Sequence, residues 1–117
     1  MPTRYVIYDK HENAFLCHNQ VIPEYGEGNC DIEQHILDSM KDDMNEIAFD
    51  ETQVLQFREL SEAKEKLEEL KRQMEKDNHL EPGTFDAELD GLYILEVVPT
   101  NTRVFSARIP HDPSSNA

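Results

Sequence analysis

The chain predicts an α+β fold, with one antiparallel or mixed sheet of four to five strands and two helices packed on one face. Its elements follow the order β-β-α-β-α-β-β. Three observations carry this reading. Ser61 to Asp77, SEAKEKLEELKRQMEKD, sets Ala63, Leu67, Leu70 and Met74 at alternating steps of four and three, which is one face of a helix. Thr3 to Tyr8 (TRYVIY) and Leu92 to Val98 (LYILEVV) are β-branched and aromatic, as strands require. Each is followed by a polar turn and a second short apolar run, the mark of a hairpin. A helix with one narrow apolar stripe must lie on something flat, and a sheet built from the flanking strands supplies it.

Taken in order, Thr3 to Tyr8 presents apolar residues on both faces, and Asp9 to Asn13 turns it into a second strand at Ala14 to Cys17. Gln20 to Asn29, with Pro23, Gly26 and Gly28, reads as a loop. Asp31 is placed to cap a helix whose inner face is Ile32, Ile36, Leu37 and Met40, with Gln34 in the capping-box position. Ile47 to Phe49 fits a short edge strand or an extended anchor, and Gln53 to Leu60 reads better as a strand. Ser61 suits the N-cap of the long helix, and Glu62 suits the positive end of its dipole. Glu62–Lys66, Glu68–Arg72 and Lys71–Glu75 are spaced to pair one turn apart. His79 to Gly91 is a loop around Pro82-Gly83. Pro99-Thr100-Asn101 then turns Leu92–Val98 into a last strand, Thr102 to Ile109. Residues 1–109 form a single domain on this reading, and 110–117, PHDPSSNA, a disordered polar tail.

At 117 residues and 38% hydrophobic composition, the chain has room for one modest core. Met1 to Val21 lacks the basic-then-apolar build of a signal peptide, and no apolar run approaches the ~20 residues of a membrane span. The expected location is therefore the cytoplasm, where Cys17 and Cys30 are reduced thiols.

The net charge of −14 is segregated along the chain. Between Glu24 and Glu51, ten acids stand against Lys41 alone, a net of −9. Between Glu81 and Glu96, five acids stand against no base. The remainder balances. Such a surface repels nucleic acid and anionic membranes and attracts basic proteins.

Catalytic and metal chemistry find little support. Cys17, His18, Cys30 and His35 lack the two-to-four-residue spacing of a zinc knuckle, and adjacent strand residues point to opposite faces. Cys30 stands before a helix N-terminus, where a thiolate gains stability, but Asp31 and Glu33 oppose that effect. Asp86-x-Glu88-x-Asp90-Gly91 resembles the start of a calcium loop, yet its twelfth position is Val97 where a bidentate Glu is needed. No phosphate-cradling, dinucleotide-binding or nucleophile-elbow motif occurs. The expectation is a protein without catalytic residues, cofactor or metal.

What remains is the acidic surface. Carboxylates spread along a helix and its flanking loops can stand in for phosphates and satisfy Lys and Arg of a nucleic-acid-binding groove. Glu24, Glu27, Glu33, Asp38, Asp42, Asp43, Glu46, Asp50 and Glu51 form the expected partner-binding set, with Asp86, Glu88 and Asp90 as a second patch. In size and charge the chain resembles the phage-encoded DNA-mimic inhibitors of restriction and CRISPR systems. The resemblance covers composition and no motif, so it implies a class of activity, the inhibition of a basic partner protein, and no site residues. A second hypothesis is a small-ligand or nucleotide-signal binder, with a pocket between the 20–30 and 81–91 loops repeated across a homo-oligomer. A third is a metal-dependent enzyme built on the carboxylates.

Overall fold

The computed structural model describes residues 3–10, 12–22, 32–77 and 91–110. Its elements are β1 (Arg4–Asp9), β2 (Ala14–Phe15), α1 (Gln34–Ser39), β3 (Asn45–Ala48), α2 (Leu60–Asp77), β4 (Leu92–Asn101) and β5 (Val104–Arg108). The five strands form one antiparallel sheet in the order β2-β1-β4-β5-β3, an α+β fold with the element order that the sequence predicts.

The centre of the sheet is built from its two richest strands. Val6 pairs with Leu95, Ile7 with Ile94 and Tyr8 with Tyr93, as expected where β-branched and aromatic side chains pack across a pleat. β4 returns through Thr102-Arg103 into β5, and the register slips between Pro99 and Asn101. Pro99 has no N–H to give the ladder, so the irregularity falls where the sequence cannot sustain regular pairing. Arg103 takes the left-handed conformation, φ 61°, that this tight turn needs.

The two helices divide between the faces of the sheet, where the sequence reading set both on one. Val6, Tyr8, Leu95, Val97, Phe105 and Ala107 enclose one core with Ile47 and Phe49, and Leu37 and Met40 cover it. Ile7 alternates to the opposite face, is fully buried, and takes no part in that core. Leu16, whose N–H bonds the Ile7 carbonyl, and Ala63 of α2 are also buried outside it. α2 packs on β1 and β4 from that second side. The physical cause lies in TRYVIY itself: a strand apolar on both faces needs cover on both.

Four local expectations shift. Gln53–Leu60 does not form a strand. Asp50 and Thr52 turn the chain, and the segment then touches the sheet through single bridges, Val54 to Cys17 and Phe57 to Tyr5. The strand between the helices is β3, around Ile47. α1 spans only Gln34–Ser39, with Glu33 extended at its N-cap and making no side-chain cap bond; Asp31 lies outside the described residues. α2 starts at Leu60, one residue before Ser61, and the Glu62 carboxylate accepts the Glu59 N–H at 3.2 Å, half of a capping box. The ion pairs on α2 run three residues apart, Lys66–Glu69 at 3.3 Å and Glu68–Lys71 at 3.7 Å; the side chains of Met74 and Glu75 lie outside the described set.

Candidate binding surface

The acids of the first charged window follow the chain from α1 into β3 and the turn beyond it. Tight local bonding shapes this corner. The N–H groups of Asp42 and Asp43 both donate to the Ser39 carbonyl, at 3.1 and 2.8 Å, which ends α1 in a compact turn. Met40 stays buried beneath that turn, and its carbonyl accepts the Ile109 N–H at 2.9 Å, tying the corner to the end of β5. β3 then pairs with β5, setting Ile47 opposite Phe105 and Glu46 opposite Ser106. Phe49 anchors the far end: its ring stacks on Phe105 with centroids 4.0 Å apart and tilts against Phe15 at 5.2 Å.

The predicted site residues separate by what stands beside them. Glu51 pairs with Arg4 at 3.6 Å, and Glu33 faces the His35 Nδ1 at 3.1 Å. Asp50 accepts the Thr52 hydroxyl at 2.6 Å and the Thr52 N–H at 2.9 Å. These bonds hold the Asp50 carboxyl below the ordinary aspartate range, with a lesser contribution from nearby Arg103. Asp38, exposed on α1, accepts the Gln34 amide at 3.0 Å. Asp42, Asp43 and Glu46 are exposed and make no ion pair or side-chain hydrogen bond among the described residues. Glu24, Glu27, Asp86, Glu88 and Asp90 lie outside the described residues, as do Cys30 and most of the two loops assigned to the alternative pocket.

One acid of the second window is described, and it plays a different part. Glu96 sits on β4 in contact with the Arg108 guanidinium, and the Tyr5 hydroxyl donates to it at 3.5 Å. Burial first, and Glu96 second, push the Tyr5 hydroxyl above its ordinary pKa, while the Arg108 guanidinium is held charged chiefly by its hydrogen bond to Glu96. Glu96 is neutralised within the sheet.

No family model matches the chain, and no curated protein or solved structure matches it. The geometry therefore stands alone.

Among the described residues, no three His, Cys, Asp or Glu side chains gather as metal ligands, and no helix is long and apolar enough to cross a membrane. Cys17 is buried with its Sγ 3.5 Å from the Phe15 carbonyl, and its neighbour His18 is exposed. Sequence reasoning overlooked Met44 and Ala48, both exposed beside Glu46. The alternation through Asn45-Glu46-Ile47-Ala48-Phe49, with Ile47 and Phe49 inward, was the available signal.

Proposed function

We propose that this chain is a non-catalytic acidic binding protein. It inhibits or modulates a basic, nucleic-acid-binding protein by occupying the Lys- and Arg-lined groove of that partner. The observation that supports the reading is the run Asp42, Asp43 and Glu46: three exposed carboxylates within five residues of chain that make no ion pair among the described residues. Unpaired carboxylates keep their full attraction for an incoming guanidinium or ammonium group, whereas carboxylates already paired offer little more. The overall charge of −14 would steer a basic partner in from a distance and make association salt-sensitive. On this reading the chain acts as an inhibitor of the DNA-mimic kind, in an anti-defence role of the sort phages encode, a class suggested by its size and net charge.

A low-salt pull-down with two double variants tests it. Asp42→Lys/Asp43→Lys is expected to weaken capture of the basic partner about tenfold or more, worth about 1.4 kcal/mol. Glu65→Lys/Glu69→Lys, the same change of charge on α2, should alter capture less than about twofold. Added DNA should compete with the wild-type protein for the partner. Equal losses in the two variants would remove the case for a dedicated face.

A further inference from the structure

The sheet has two edges, and they are finished differently. On the β2 side, the segment 53–57 closes the ladder: the His18 N–H donates to the Gln53 carbonyl at 2.8 Å and the Leu55 N–H to Leu16 at 2.9 Å. Tyr5 and Phe57 exchange both of their main-chain bonds at 2.8 Å. On the other side stands β3, the last strand in the order, and no described segment pairs with its outer edge.

The direction of the main-chain groups of β3 follows from one bond. The Phe49 N–H donates to the Arg103 carbonyl at 3.1 Å, so Phe49 turns its polar backbone toward β5. In an antiparallel ladder such residues alternate. Ile47 and Asn45 therefore also face β5, and Glu46 and Ala48 direct their N–H and C=O groups outward. An outward row of this kind is a template for a further strand.

We infer that β3 is a docking edge, taking an extended segment of a partner as a sixth strand, with Lys or Arg at alternate positions of that segment. This rests on the basic-partner reading above and adds how the partner is held. The charge around the edge selects the occupant. A residue set directly across from Glu46 has its Cβ only about 5 Å away, where an opposite charge stabilises and a like charge destabilises. A second copy of this chain is disfavoured. Antiparallel pairing of β3 with itself about Ile47 sets Asp43 of one copy opposite Glu51 of the other, with Asp42 and Asp50 close by. The small Ala48 and the Met44 side chain, 44% exposed, leave apolar room beside the charges for the aliphatic stems of Lys or Arg.

The probes are an end-capped alternating Lys-Val octapeptide, its Glu-Val counterpart, and the Lys-Val peptide with every backbone nitrogen methylated. Titration against the full chain should show the Lys-Val peptide binding about tenfold or more tightly than the other two. The amides of Glu46 and Ala48 should exchange hydrogen more slowly in its presence. Ala48→Pro removes one outward N–H, which an edge strand tolerates, and should weaken Lys-Val binding to a similar degree. If that variant does not fold, the methylated peptide alone decides. Equal binding of the methylated and unmethylated peptides would overturn strand addition and leave the acidic-surface reading intact. No binding of the Lys-Val peptide at low salt would overturn both.

Discussion

The acids of α2 and the acids of the α1–β3 corner differ less in number than in company. On α2, Glu68 and Glu69 each find a lysine one turn away, because a helix brings residues three apart into reach wherever both signs occur in the sequence. At the corner, Asp42 and Asp43 occupy a turn and Glu46 an edge strand, and neither shape brings a neighbour of opposite sign to them. Lys41, the single base of the first window, is exposed and makes no ion pair with them among the described residues. Charge density read along a chain therefore says little until the backbone decides which charges are neighbours. On α2 the helix pairs Glu68 and Glu69, and the turn leading into the edge strand leaves Asp42, Asp43 and Glu46 available.

The largest effect expected is at the anchor beneath the corner. Phe49→Ala removes an aromatic ring that is 5% exposed and packed on both Phe105 and Phe15, and should cost about 3–5 kcal/mol in a denaturant titration. Leu67→Ala on the half-buried stripe of α2 should cost less than half of that. Equal losses would mean that the corner is held no more firmly than the helix.

Next comes alkaline pH, at the head of α2. Tyr5 is pushed above its ordinary pKa by burial, then by Glu96 and, less strongly, by Glu59. A group whose folded pKa is raised contributes stability that is present below its unfolded pKa and is lost as pH rises through the folded value. Unfolding measured across the alkaline range should show that decline, and Tyr5→Phe should flatten it. The corner makes the opposite contribution through Asp50. Its lowered pKa gives stability above the ordinary aspartate range that fades as pH falls through the folded value. A decline of the same size in the Tyr5→Phe variant would place the titrating group elsewhere.

The smallest expected effect is one of sign. Glu69→Gln should lower stability by a few tenths of a kcal/mol at low salt, because it removes an exposed ion pair with Lys66. Asp43→Asn should leave stability unchanged or raise it slightly, because it relieves repulsion from Asp42 without losing a partner. Thermal melts of both variants at two salt concentrations make the comparison. Matching losses would mean that Asp43 has a cation after all.

Local pattern alone was enough for the α+β class, the two hairpins and the long helix. Period-two runs such as TRYVIY and LYILEVV, and the four-and-three spacing of Ala63, Leu67 and Leu70, record the geometry of the element they belong to. Local pattern offered Ile47–Phe49 as either a short edge strand or an extended anchor, ranked below Gln53–Leu60 as a strand, and it marked the acid run around it; the edge strand is β3, Asn45–Ala48. Pairing between distant parts of the chain decided the rest. Gln53–Leu60 has the composition of a strand but contributes only single bridges, because Asp50 and Thr52 turn the chain and the sheet already has β1 and β2 at that side. That the helices cover opposite faces depends on β1 lying inside the sheet with Ile7 turned away from Val6 and Tyr8. Which acids are left without a partner depends in the same way on distance. Arg4 reaches Glu51 only because the fold brings β1 against the turn that follows β3, a meeting that no spacing along the chain encodes, whereas Arg108 faces Glu96 across the β4–β5 hairpin.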